Sequence, residues 1–468
     1  MVFLCHSKLL TNYEQAWYNA LIKYSKGESI MKKTKKAISF LLALVMLIST
    51  LSLFSFAKGD TEEAVTFAAA TEKANNYPFI LIHGLGGWGQ YDSATESYPY
   101  WGAGAGMSEG DGDFVKFLKE NGYDAYAVSV GPVNSAWDRA CEIYAQLTGT
   151  VVDYGEAHSK AHNHARFGRS FEGQPLMGKV WSPDEPLNLV GHSFGGPASR
   201  LFTSLMAFGD EAEIAATGDE TSPLFKGGHK KAVHSVITLS GCHNGSQIAN
   251  LIVDPVVPLF LIAVLVHSMC VFGDKPIGFN SDLGLAHFGL TPEGGTGRVK
   301  FSLRNIINFM KAKDNAGVDL TVGGSQKLNE IIKMNPETYY YSVSGTVTEE
   351  NEKGCQIKTH DVAPIFGGTT VLLSMSKGLT IDGIKMDSQW ANNDGMVPLK
   401  SALYPIDESD NAFSYEKSLA ENSIKPGSWY YLEPVYGMDH GDYCGTTDDY
   451  PEGYEKFWLG LAGMATIR

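Results

Sequence analysis

From residue 77 onward the chain alternates short apolar runs with longer segments whose apolar positions recur every three or four residues. Tyr77-Pro78-Phe79-Ile80-Leu81-Ile82, Tyr123–Val130, Leu187–Val190, Val233–Ser240, Thr338–Ser344 and Trp429–Val435 read as buried strands. Between them, Asp113–Asn121, Ser135–Leu147, Ala198–Ala207, Phe301–Phe309, Gly324–Met334 and Tyr454–Leu461 carry the helical period, with Ser135 a suitable N-cap and Gly122 a stop. Strands alternating with helices predict an α/β fold: a mostly parallel sheet with helices on both faces. One stretch breaks the pattern. Ser246–Phe272 is too apolar for a surface helix, and Pro255, Pro258 and His267 interrupt it as a membrane span. It reads as a mobile amphipathic lid over an apolar site, the alternative being a buried helix pair.

The N-terminal segment has a different pattern. Lys32, Lys33, Lys35 and Lys36 precede an uncharged, mostly apolar run, Ala37–Phe56, and Ser55-Phe56-Ala57 offers small residues for cleavage. This is the signature of a secretory signal peptide cleaved after Ala57, an uncleaved anchor being the alternative. Met31 is the better start, which makes 1–30 an over-extended reading frame. The expected organisation is an extension and signal over 1–57, a polar linker over 58–76, and one domain over 77–468 with a lid or cap insertion at about 243–335.

The strand Leu187–Val190 runs directly into Gly191-His192-Ser193-Phe194-Gly195 and then a helix. Gly-x-Ser-x-Gly between strand and helix is a nucleophile elbow: the turn is sharp, its flanks must be small, and the serine hydroxyl is exposed at the sheet's edge. After the first strand comes His83-Gly84-Leu85-Gly86-Gly87-Trp88-Gly89, which formally matches the dinucleotide fingerprint. The following residues are too rich in Gly, Pro, Tyr and Ser to open a helix, and no acid ends a second strand where a ribose needs one. The loop reads instead as half of an oxyanion hole, with backbone N–H groups from Leu85 and Phe194.

Two further residues complete a constellation. Asp394, in an Asn-Asp-Gly turn, and His440, just past the last strand, follow Ser193 in the order Ser…Asp…His. His440 would take the serine proton and return it to the leaving alcohol, and Asp394 would fix the imidazole tautomer. The competitors are His360 beside Asp361, and Asp382 or Asp387 as the acid. Asp439 abuts His440, so its side chain should face elsewhere.

Charge narrows the partners. The net charge is −15, and residues 1–57 hold seven lysines against two acids, so the remainder carries −20. Such a body repels nucleic acid and suits neutral substrates and cations. The six cysteines are widely spaced without a Cys-x-x-Cys, and five remain after Ala57, which suggests mostly unpaired, buried thiols. Asp153 opens a tract holding His158, His162 and His164; such a tract is a metal site when a carboxylate converges on it, and otherwise a solvated polar loop.

Taken together, His83–Gly89, Val130-Gly131-Pro132 with Trp137–Glu142, Val152–Gly155 with His158 and His164–Arg169, and Asn393-Asp394-Gly395 resemble the large secreted lipases of Gram-positive bacilli and staphylococci, within the α/β-hydrolase superfamily. The likeness runs from Tyr77 to the C-terminus, and Gly191 matches the staphylococcal form of the elbow. The resemblance implies triacylglycerol hydrolysis at a lipid–water interface with Ser193, Asp394 and His440 as catalytic residues. It also implies a structural zinc held by Asp138, His158 and His164, with His162 a bystander. The family's fourth ligand is an Asp before aromatic-Gly-Leu, where this chain has Ala286 before His287-Phe288-Gly289-Leu290; Asp282 or His287 is left to substitute. A calcium ion is implied near His440, with Asp442, Gly367, Asp448 and Asp449 as its ligands. No nucleic acid and no stable protein partner are expected. The alternatives are a carboxylesterase or phospholipase with the same triad, a non-catalytic hydrolase-fold protein, or a metalloenzyme using the histidine tract.

Overall fold

A computed structural model describes residues 74–92, 99–102, 112–252, 284–289, 308–309, 311–445 and 451–466. The segment expected to be a signal peptide, Asp282, Cys270, Asp448, Asp449, most of the expected lid and most of the helix expected over 301–309 lie outside the described residues.

Seven strands form one parallel sheet: β1 (Phe79–Ile82), β2 (Ala125–Val128), β3 (Leu187–His192), β4 (Val233–Leu239), β5 (Tyr339–Val343), β6 (Ala412–Ser414) and β7 (Trp429–Tyr431), in the order β6-β7-β5-β4-β3-β1-β2. Alternating strand residues enter two apolar layers. Ile80, Ile82, Leu187, Leu189, Val233, Val236 and Trp429 face one. Phe79, Leu81, Val190, Ile237, Leu239, Tyr341 and Tyr430 face the other. Period-2 alternation with both faces apolar is what a parallel sheet covered on both sides requires.

The first layer is closed by α2 (Ala136–Thr148), capped by the Ser135 side chain, and by α4 (Gly195–Phe208), which continues the elbow. The second is closed by α1 (Phe114–Glu120) and α6 (Pro451–Thr466), where Phe114, Tyr454 and Trp458 pack together. This is the expected α/β-hydrolase arrangement. Between α2 and β3 lies α3 (Glu156–His162), so the histidine tract is mainly helix rather than loop.

Three details differ from the sequence pattern. The last strand, expected over Trp429–Val435, splits: Trp429–Tyr431 joins the main sheet, while Val435-Tyr436 pairs with Gly345-Thr346. The edge strand β6 has only three residues, too few to carry a periodic signal. The linker expected to end at residue 76 is already tied down at 74–75, where Ala74 and Asn75 N–H donate to the Thr466 carbonyl and Asn75 Nδ2 to the Ala465 carbonyl. Of the expected lid, α5 (Gln247–Ile252) is described; Gln247 anchors it by donating to the Trp390 carbonyl.

Candidate active site and metal centre

Ser193 sits between β3 and α4 with φ +55°, a left-handed conformation costly for a residue with a Cβ. The flanking glycines explain how the turn closes. A Cβ on Gly191 would meet the Gly195 carbonyl at 2.4 Å, and one on Gly195 would meet the Ile82 carbonyl at 2.1 Å. The turn therefore excludes any side chain at either flank.

His440 Nε2 lies 3.0 Å from Ser193 Oγ, and its Nδ1 lies 2.8 Å from Asp394 Oδ2. All three residues are buried. Asp394 is held from several sides: Met396 and Val397 N–H donate to Oδ1, and the Ser240 hydroxyl donates to Oδ2. Burial opposes ionisation of Asp394, but the His440 charge and these donors hold its carboxyl below the usual carboxylate range. An ionised Asp394 fixes the Nδ1–H tautomer and leaves Nε2 to accept the serine proton.

The competing residues are engaged elsewhere. Asp387 caps the helix Ser388–Ala391, Asp382 accepts from Asn250 and Gly323, and His360 contacts Thr359. Asp439 accepts from the N–H groups of Ala363, Gly441 and Asp442 and faces away from the imidazole.

The glycine loop after β1 lies over the serine. A Cβ on Gly84 would come within 2.8 Å of Ser193 Cβ and 3.3 Å of Oγ. Among the described residues neither Leu85 nor Phe194 donates its N–H to a protein acceptor. The loop is braced by a residue to which sequence reasoning gave no role. The buried Arg139 guanidinium, from α2, donates to the carbonyls of His83 (2.9 Å), Gly84 (3.2 Å) and Pro132 (2.9 Å), and packs 4.8 Å from the centre of the Phe194 ring. Burial lowers its pKa to about 10, which still leaves it charged at neutral pH. Cys242 Sγ lies 3.7 Å from Ser193 Oγ, and burial pushes this thiol up to about 12, so it stays protonated and offers no thiolate. Cys141, Cys242 and Cys444 are free and buried, as expected, whereas Cys355 is free and exposed.

On the first apolar layer's flank, Asp138, His158, His164 and Asp314 bring one ligand atom each to within 4.8 Å of one another. Two nitrogens and two carboxylate oxygens in a buried, closed cluster could hold a metal ion. The donor atoms converge: His158 Nε2 and His164 Nε2 lie 3.0 and 3.1 Å from Asp314 Oδ2, and His158 Nε2 lies 3.5 Å from Asp138 Oδ1. The supporting contacts fix the ligands' orientation. His164 Nδ1 lies 2.8 Å from the Ala165 carbonyl, and the Trp137 ring stacks on His158 at 4.8 Å. Burial opposes ionisation of both carboxyls, and Asp314 repels Asp138, yet the facing histidines hold both low: His287 and His158 for Asp138, His158 and His164 for Asp314.

The fourth member is therefore Asp314, not His287. His287 Nε2 lies 3.0 Å from Asp138 Oδ2 and orients that carboxylate from behind. Asp314 stands in Lys-Asp-Asn with no motif around it, so no local signal marks it. His162 Nδ1 lies 2.9 Å from the Ala312 carbonyl and is not one of the four converging residues. Of the expected calcium ligands, Asp442 Oδ2 accepts the Asp439 N–H, and Gly367 opens the helix Gly367–Ser374.

The family described as "Lipase-like, C-terminal domain" matches residues 75–463. A lipase of Staphylococcus epidermidis is 31% identical over 397 residues, covering 83% of this chain and 53% of that protein. Lipase 2 of Staphylococcus aureus is 32% identical over 384 residues, covering 81% of this chain and 51% of its own length. The chain thus spans about half the length of the curated relatives it matches. Among solved structures, EstA from Clostridium botulinum aligns with a TM-score of 0.70 at 29% identity, covering 91% of this chain and 98% of that one. The Staphylococcus hyicus lipase aligns at 0.68 and 28% identity, covering 85% and 98%.

Proposed function

The chain belongs to the lipase-like C-terminal domain family, and from that premise we propose that it hydrolyses the ester bonds of triacylglycerols at a lipid–water interface. The observation that carries the reading is the hydrogen-bonded run Ser193–His440–Asp394, at 3.0 and 2.8 Å. His440 Nε2 takes the Ser193 proton as Oγ attacks the ester carbonyl. The oxyanion is met by the Leu85 and Phe194 N–H groups. The proton then passes to the departing glycerol oxygen, leaving an acyl-serine. Water attacks that acyl carbonyl, His440 again takes a proton, and the fatty acid leaves as Ser193 is regenerated. The apolar stretch Ser246–Phe272 supports long acyl chains over short or charged ones.

The test compares wild type with Ser193→Ala on emulsified trioctanoin and on monomeric esters of increasing chain length. Long-chain preference and a rate jump on emulsification support a lipase. A profile confined to short soluble esters supports a carboxylesterase, and undiminished hydrolysis by Ser193→Ala removes the reading.

The ion in the Asp138–His158–His164–Asp314 cluster is zinc in this reading, with a structural role: the four donors close the coordination shell and leave no open position for substrate. Zinc there would pin α2 and α3 to the segment around Asp314. Calcium near Asp442, Gly367, Asp448 and Asp449 belongs to the same reading; a fall in thermal stability on selective calcium chelation supports it, and an unchanged one removes it. The Lys32–Ala57 pattern supports export of the protein, with the mature N-terminus checked by mass spectrometry.

A further inference from the structure

The hydrogen bonds of the residue before the nucleophile lead away from the triad and return to it. His192 ends β3 with its ring buried. Its Nε2–H donates to the His440 carbonyl at 2.9 Å, and its Nδ1 accepts the Tyr100 hydroxyl at 2.6 Å. The Tyr100 oxygen accepts the Gly84 N–H at 3.1 Å. A single run therefore connects the peptide preceding Leu85 with the backbone of the catalytic histidine. These two segments lie more than 350 residues apart in sequence.

The run is polarised one way. His192 can donate to the His440 carbonyl only through Nε2–H, so neutral Nδ1 must accept and Tyr100 must donate. Burial, with His440 adding repulsion, lowers the His192 pKa to about 3, which agrees with a neutral ring. A neutral ring matters, because His192 lies 4.8 Å from the His440 ring, where an imidazolium forms during catalysis. The hydroxyl is held in place by aromatic packing. Tyr100 packs against Trp88 and Trp101, with ring centres at 5.5 and 5.2 Å, and against His83 at 5.7 Å. The Cys444 thiol closes the edge, 3.4 Å from His192 Nδ1.

We propose that Tyr100 and His192 are a positioning pair that sets the separation between the oxyanion N–H of Leu85 and the proton acceptor of His440. The proposal rests on the triad reading above. Hydrolysis needs both groups at fixed places around one carbonyl, and a sub-ångström drift of either is costly. Gly84 and His440 reach the site from separate loops, and this run ties both to β3, the strand that carries Ser193.

The test measures kcat and KM on soluble p-nitrophenyl butyrate for Tyr100→Phe, His192→Phe, His192→Gln and Ser193→Ala. Tyr100→Phe keeps the ring and removes the bridge; kcat should fall about tenfold, the size expected for a small displacement, with KM little changed. His192→Phe should lose about a hundredfold in kcat. His192→Gln retains a donor for His440 and an acceptor for Tyr100, and should recover most of that loss. A merely structural role would lower melting temperatures in all three without the kcat-specific loss or the glutamine rescue. An unchanged kcat in Tyr100→Phe, or His192→Gln as inactive as His192→Phe, overturns the pair. Activity retained by Ser193→Ala overturns the triad beneath it, so the two failures are distinguishable.

Discussion

Replacing Arg139 by Met separates bracing of the oxyanion loop from mere filling of space. The side chain is fully buried, and Met approximates its apolar stem while removing all donors. Three hydrogen bonds from a charged group are lost, to the carbonyls of His83, Gly84 and Pro132. The Gly84 carbonyl keeps the His83 Nδ1 contact, and the Pro132 carbonyl keeps the Gly86 N–H. The His83 carbonyl is the one most exposed to the loss. One poorly satisfied carbonyl plus two weakened ones, offset by no longer burying a cation, gives a net loss of about 2–4 kcal/mol. For a domain of this size, with an unfolding entropy of about 0.8 kcal/mol per kelvin, that is a fall of roughly 2–5 °C in melting temperature. The kinetic effect is separate. In the mechanism proposed above, Gly84-Leu85 freed from the guanidinium would no longer hold its N–H on the developing oxyanion, and losing one such donor costs about 10²–10³ in kcat. The assay is soluble-ester hydrolysis well below the variant's melting temperature, with thermal unfolding in parallel. A lowered melting temperature with kcat unchanged would show that Arg139 is only a strut and does not position the loop.

Asp394→Asn should lower kcat by about 10⁴, because the amide stabilises the wrong imidazole tautomer, with the esterase assay as the measure. Asp394 also has a depressed folded-state pKa, so it contributes stability above its unfolded value near 4 that is lost as pH falls; the variant's melting temperature should drop less than wild type's between pH 5 and 3. The buried imidazoles of His83 and His192 are both lowered to about 3, chiefly by burial. The unfolded chain therefore takes up protons first, and each costs up to about 1.4 kcal/mol per pH unit as pH falls from 6.5 towards 3. Melting temperatures that stay flat from pH 7 to 5 would contradict this. Protein purified without chelator should carry about one equivalent of zinc, the norm for a closed four-ligand site. Asp314→Ala should lose most of it and melt lower; unchanged metal content by elemental analysis would exclude Asp314 as a ligand.

The parts of this protein that were legible in its sequence are those whose physics is local. The elbow is legible because its geometry forces glycine at 191 and 195, and β1, β3 and β4 are legible because both their faces are apolar. Asp394 and His440 could be named because an Asn-Asp-Gly turn and a histidine just past the last strand follow Ser193 in the order Ser…Asp…His. What escaped depends on contacts between distant segments. Asp314 meets His158 across 156 residues with no flanking motif. Arg139 stood in view within a recognisable stretch, but its partners are backbone carbonyls, which leave no trace in side-chain pattern. Ser240 and Tyr100 are single hydroxyls whose roles exist only once Asp394 and His192 are placed beside them. The three-residue β6 lies below the length at which alternation means anything.

The central claim is that Ser193 is the nucleophile. The most direct measurement is intact and peptide mass spectrometry after treatment with a p-nitrophenyl alkylphosphonate, with residual esterase activity followed in the same samples. One phosphonyl adduct per chain is expected, located on Ser193, formed in step with loss of activity and absent from Ser193→Ala. Full inactivation with the adduct on another residue, or full labelling of Ser193 with activity retained, would contradict it.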